Sequence, residues 1–150
     1  MAEETITKTG DWLYEPGEWG HKHKWSHDYP DFILVGNDPI GKCPTSITRN
    51  PELAKELLDT GVYYPTGTQP PDKIYNVHQG VIYRAIETRH GVSFHGFPEK
   101  EHKIRRVPPS VLRQLARIAK EKNTLEEFKQ WMCKHLPEGY KQLQIYLRSL

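Results

Sequence analysis

The chain has 150 residues, 36% of them hydrophobic and 27% charged, with eight histidines and a formal net charge of +2. That length suits one domain with its own core, and an aromatic content of 11% excludes a disordered chain. The mild positive charge falls short of the basic footprint of a dedicated nucleic-acid binder. The N-terminus, MAEETITKTG, has no apolar stretch of the signal-peptide kind, and no run reaches the ~18 apolar residues of a membrane span. Cys43 and Cys133 form no CxxC motif. The expectation is therefore a reducing cytosol and no membrane partner, for a protein made there or delivered there as part of a larger secreted one.

In chain order, residues 1–10 are polar and expected to be flexible. From Asp11 to Asp31 aromatics alternate with polar residues and breakers, which reads as irregular loop with a short strand or two. Phe32 to Val35 reads as a strand closed by the turn Gly36-Asn37-Asp38-Pro39. Asn50-Pro51-Glu52 opens a helix over 51–60: a favoured N-cap, a proline at the first helical position and an acid at the positive end of the dipole. Leu53, Leu57 and Leu58 form its apolar stripe, and Gly61 ends it. The stretch from Tyr63 to Pro71 reads as a proline-rich connector, 74–78 as a strand and Gln79-Gly80 as a turn.

Residues 81–97 then read as a β-hairpin, with His90-Gly91 as a two-residue turn between runs rich in β-branched and aromatic residues. That turn pairs Thr88 with Ser93, Ile86 with His95 and Arg84 with Phe97, and period two places all six on one face. Beyond it, apolar positions at helical spacing predict a helix over 110–122. Thr124 and Glu127 look like a capping box for a helix over 124–136, Pro137 ends that one, and Tyr140 starts a last short helix. The fold class is thus α+β: a small antiparallel sheet, hairpin plus strand 74–78, packed by helices 51–60, 110–122 and 124–136.

The chemistry-bearing residues cluster around the hairpin. From Arg84 to Arg106 the chain holds Arg84, Arg89, Lys100, Lys103, Arg105 and Arg106 against Glu87, Glu99 and Glu101. His95 reads as a general acid or base, or as a half-buried strand histidine satisfied by its neighbours. Arg84 has the planar fork that grips phosphate and stabilises a phosphorane, or is a surface strand arginine. His78 is a candidate second proton-transfer group, or a polar strand end. Tyr75 and Tyr83 are candidates for stacking on bases, with core packing as the commoner fate. Lys100, His102, Lys103 and Arg105 are candidate phosphate contacts, or a solvated connector. The spacing of His21, His23 and His27 invites a zinc reading, but no cysteine or carboxylate pair completes a ligand set. No metal or cofactor is expected, and GxGxxG, P-loop, GxSxG and HExxH motifs are absent.

The residues Tyr83-Arg84, His95-Gly96-Phe97, Lys100, Lys103, Pro108 and the helix from Ser110 resemble the C-terminal half of RelE/HigB-type toxin endoribonucleases. The layout is also similar to the wider barnase/EndoU/colicin/RelE-like group of RNases, which often serve as C-terminal domains of bacterial polymorphic toxins. The match spans roughly 40 residues, and residues 1–70 do not follow the family's compact N-terminal helices. The resemblance implies a metal-independent endoribonuclease that cleaves RNA by 2′-hydroxyl attack, with a cognate immunity protein or antitoxin as partner. Two other classes stay open: an ADP-ribosyltransferase-type toxin domain, weakened by the missing Ser-rich strand, and a non-enzymatic RNA-binding, protein-binding or immunity module.

Overall fold

A computed structural model describes residues 12–15, 25–103 and 105–150. The elements in order are β1 (Leu13–Tyr14), β2 (Asp31–Val35), β3 (Asp38–Lys42), α1 (Thr45–Thr48), α2 (Pro51–Asp59), β4 (Val62–Tyr64), β5 (Lys73–His78), β6 (Val81–Arg89), β7 (Ser93–Pro98), α3 (Pro109–Glu121), α4 (Leu125–His135) and α5 (Pro137–Arg148). Among the described residues the strands form a five-stranded sheet in the order β1-β7-β6-β5-β4 and a separate β2–β3 ribbon. Strand β1 runs parallel to β7, and the other neighbours are antiparallel. The expected α+β class is what the chain adopts.

Local chemistry explains most boundaries. The Asn50 side chain accepts the Leu53 N–H at 3.1 Å, and Pro51 and Glu52 occupy the first turn of α2 as expected. Gln79 and Gly80 both have positive φ, 52° and 83°, the two-residue turn whose twist suits adjoining antiparallel strands. Period two then splits the sheet's side chains between two coverings. Ile74, Tyr83, Ala85 and Phe94 pack with α1 and α2, through Ile47, Ala54 and Leu58. On the other face Tyr75, Val77 and Ile82 pack under α3, α4 and α5, against Leu112, Leu115, Phe128 and Met132. Lys73, Arg84, Ile86 and His95 share this second face by register but lie outside that apolar cluster. The helices cover one end of the face and leave its polar end free of their core.

Several expectations need correction. Asp38 and Pro39 belong to β3 rather than to a turn, because Gly36 at φ +64° lets Gly36-Asn37 alone reverse the chain. The proline-rich stretch begins with the edge strand β4, paired Val62 to Tyr75 and Tyr64 to Lys73. The Thr124 hydroxyl makes no capping bond and donates instead to the Ala119 carbonyl at 3.2 Å. Pro137, besides ending α4, is the first residue of α5, and Glu101 caps that helix by accepting the N–H groups of Glu138 at 3.0 Å and Gly139 at 2.8 Å. The expected flexibility of 1–10 lies outside the described residues. Both cysteines are free, and among the described residues no helix is long and apolar enough to cross a membrane.

The β5–β6 turn is pressed against α4: a Cβ on Gly80 would sit 2.7 Å from the Glu127 carbonyl carbon and 2.8 Å from the Phe128 nitrogen. Gly80→Ala therefore combines a left-handed backbone with a clash against main chain. It should cost at least about 2 kcal/mol, read as a lower denaturant midpoint at unchanged slope. An unchanged midpoint would contradict this packing.

Candidate active site

The hairpin places two of the expected pairs as foreseen, Arg84 opposite Phe97 and Ile86 opposite His95. Near the tip the register shifts, so that Arg89 rather than Thr88 faces Ser93. The cause is a three-residue loop. Val92 closes it with an N–H to the Arg89 carbonyl at 2.9 Å, Gly91 has φ +73°, and the Glu87 carboxylate gathers the Gly91 N–H at 2.8 Å. Thr88 becomes the extra residue of a bulge. It stays on the His95 side nonetheless, its Oγ1 2.7 Å from His95 Nδ1.

At the centre of this face lies a charge cluster built around Glu99. Its carboxylate meets Arg84 Nε at 3.3 Å and Arg105 Nε at 3.5 Å, with side-chain exposures of 2% for Glu99, 10% for Arg84 and 32% for Arg105. Burial pushes the Glu99 carboxyl up, while the guanidiniums of Arg84 and Arg105 pull against that shift. Burial also lowers the Arg84 guanidinium somewhat, with Glu99 opposing it; an arginine keeps its charge regardless. Neither Arg84 Nε, Arg105 Nε nor Glu99 Oε2 has an aligned hydrogen-bond partner among the described residues. Glu99 attracts both guanidiniums electrostatically, and each arginine keeps donor capacity at Nε. The Arg84 guanidinium also lies over the Phe97 ring, 4.6 Å from its centroid, and Tyr75, opposite Arg84, has its hydroxyl pushed up to about 12 by burial and by Glu99.

Backbone ties hold Glu99 in place. Its N–H donates to the Ile82 carbonyl at 2.8 Å, and its own carbonyl accepts the Trp131 indole N–H at 3.1 Å. Two residues on, the Glu101 N–H reaches the His135 carbonyl at 2.9 Å. His95 stands beside the cluster, its ring 6.1 Å from that of Phe97. Burial holds its pKa below the usual 6.5, so it is neutral at physiological pH and ready to accept a proton.

Other expected site residues go elsewhere. Tyr83 points to the opposite face, in a cluster with Cys43, Ile47 and Ala54, where burial drives its hydroxyl far up. The cavity on that side is about 40 Å³, room for little more than a water molecule, so Tyr83 is a core residue and not a platform for bases. His78 pairs with Val81 at the far end of β5, while Lys73, at its near end, pairs with Ile86 and so lies in line with His95. Five residues of strand make that separation roughly 16 Å, and odd spacing turns His78 to the other face. Its ring is held below the usual pKa by burial and by Lys122, against Glu56; it cannot be His95's partner in proton transfer.

Of the basic run only Arg105 joins the cluster. Lys100 lies over the Phe32 ring at 5.1 Å, and His102 Nε2 and Lys103 Nζ each reach Asp38 Oδ1 at 3.4 Å. Their polar ends go to the β2–β3 ribbon instead of lining the Arg84 face. His21 and His23 lie outside the described residues, and His27 stacks on Tyr29 with ring centroids 5.1 Å apart. Among the described residues no group of three or more His, Cys, Asp or Glu side chains is arranged to hold a metal ion.

Glu99 is the central residue that the sequence reading treated only as a counter-charge. The signal was present: Glu99 stands two residues after Phe97, so period two continues the face of His95 and Phe97 into it. No family model, curated protein or solved structure matches the chain. Glu99→Ala should destabilise by about 3–5 kcal/mol, because it strands a buried guanidinium. Arg105→Ala should cost much less, since that side chain is about one-third exposed. Equal losses in a denaturant series would contradict this ranking.

Proposed function

We propose that the chain is a metal-independent endoribonuclease of bacterial toxin type, acting in the cytosol on RNA. The observation that carries the reading is one sheet face on which a neutral histidine, His95, stands beside two guanidiniums, Arg84 and Arg105, held by a shared carboxylate. In this reading His95 takes the proton of a ribose 2′-hydroxyl. The freed oxygen attacks phosphorus, the bond to the 5′-oxygen breaks, and the departing oxygen takes a proton from water. A 2′,3′-cyclic phosphate results. Negative charge grows on the non-bridging oxygens during this step, and preorganised cations in a partly dry site stabilise it. The guanidiniums supply the positive charge that a divalent ion would otherwise bring. Loss of the 2′-hydroxyl removes the nucleophile, so DNA is not a substrate. The resemblance of the hairpin, through Arg84 and His95-Gly96-Phe97, to toxin RNases supports the same class, and implies a cognate immunity protein or antitoxin.

Purified protein should cleave total RNA in the presence of EDTA. His95→Ala should lower the rate by about 10²–10⁴-fold, the usual contribution of a general base, and Arg84→Lys should also impair it, because an ammonium lacks the two-point grip. His78→Ala should leave the rate unchanged. Since burial lowers the His95 pKa below 6.5, the acid limb of the rate profile should fall below pH 6.5, where the base becomes protonated. Cleavage that vanishes in EDTA and returns with zinc or magnesium would overturn the metal-independent mechanism.

A further inference from the structure

We infer that Thr88, held by the backbone of Glu15, fixes His95 as the tautomer protonated on Nδ1, leaving Nε2 as the nitrogen that exchanges protons with substrate. The assignment of a substrate role to Nε2 rests on the ribonuclease reading; the tautomer itself does not.

The argument is a count of hydrogens. Thr88 Oγ1 lies 2.7 Å from the Glu15 carbonyl oxygen and 2.7 Å from His95 Nδ1. A hydroxyl has one hydrogen to give and lone pairs to accept with. A carbonyl oxygen only accepts, so the hydroxyl hydrogen goes to Glu15. Oγ1 can then serve His95 only as an acceptor, and Nδ1 must carry the hydrogen. In a neutral imidazole the other nitrogen is bare, which makes Nε2 the basic site. Among the described residues the hydrogen bond of the His95 ring is the one at Nδ1. With Nδ1 bare instead, the three-atom relay would have two acceptors competing for one hydrogen.

Glu15 is well placed to impose this because four further bonds pin it. Its N–H donates to the Phe94 carbonyl at 2.9 Å. Its carboxylate accepts from Arg89 at 2.7 and 3.1 Å and from Ser93 Oγ at 2.5 Å. Strand β1, only two residues long, with Glu15 directly after it, thus straps the hairpin tip, and the bulge at Thr88 turns that hydroxyl between strap and imidazole. Thr88 and Glu15 are positioning residues, acting on the reaction through His95. When His95 Nε2 accepts the 2′-hydroxyl proton, the ring becomes an imidazolium whose Nδ1–H still donates to Thr88, so no rearrangement accompanies the transfer.

The test is long-range proton–nitrogen correlation NMR on the full chain with labelled histidine, at mildly alkaline pH where the ring is neutral. Wild type should show a protonated Nδ1 and a bare Nε2 at His95, and Thr88→Ser should keep that pattern. Thr88→Val should lose it, giving a mixture or the opposite tautomer. On RNA, Thr88→Val should lower kcat by about 10–100-fold, the size of effect seen for orienting partners of metal-bound histidines, with little change in KM and rescue by Thr88→Ser. A wild-type spectrum with the proton on Nε2 overturns the inference even if Thr88→Val fails to fold, as does a pattern unchanged in Thr88→Val. If RNA is not cleaved but the Nδ1–H tautomer is present and depends on Thr88, the positioning stands and the ribonuclease reading falls.

Discussion

The buried carboxylate of Glu99 is the constraint around which the site is arranged. A carboxylate taken out of water is stable only when cations and hydrogen-bond donors surround it. Here strand β6 supplies Arg84, the segment after β7 supplies Arg105, and the backbone at Lys100 donates to Glu99 Oε1 at 3.1 Å. Such clusters are weak devices for stability, since a well-packed apolar substitute often does as well or better. Their cost makes sense where charge must be held in a set geometry. The C-terminal helices share in holding it: Trp131 of α4 fixes the Glu99 carbonyl, and Glu101 anchors the next turn of chain to the start of α5.

The unequal covering of the sheet is what turns a structural cluster into an accessible one. One face is packed by α1 and α2 over Ile74, Tyr83, Ala85 and Phe94. On the other, burial grades along the strands, from Val77 and Ile82 under α3–α5, through Tyr75 and Arg84, to half-buried Lys73, Ile86 and His95. The apolar end carries the core, and the polar end keeps His95 and the Arg84–Glu99 pair outside it. A histidine on that gradient is dry enough to be neutral near pH 7 and wet enough to meet a substrate. This division of labour explains why His95 and Arg84 coexist on a strand pair that also carries core residues.

Period-two alternation made the Arg84, Ile86, His95 and Phe97 face legible from residues alone, and the helix signals at Asn50-Pro51 and Pro109 were equally direct. The same rule, followed further, removes Tyr83 and His78 from that face and adds Glu99 to it. What alternation does not contain is loop length. The three-residue tip depends on Glu87 catching the Gly91 N–H, a side-chain event that a Gly at the turn does not announce. Non-local partners were also hidden. Lys103 finds Asp38, 65 residues earlier in the chain, and nothing in the basic run points to that acid. Strand β1, of two residues, is legible only as a short strand somewhere within 11–31, and β4, of three, is hidden in the stretch read as a connector; both carry too few alternations to be located, and pairing with β7 and β5 defines them.

The central claim is that Arg84, Arg105 and His95 together form one phosphodiester-binding face. It is tested most directly by titrating the protein with an RNA oligonucleotide carrying 2′-deoxy substitutions, which binds but lacks the nucleophile, while following arginine Nε–H and histidine ring resonances. The account predicts saturable shifts of the Arg84 and Arg105 Nε–H groups and of His95 Nε2 with a common affinity, and none at His78. Shifts confined to Lys100 and Lys103 on the ribbon side, or no shift at Arg84 at saturating oligonucleotide, would contradict it.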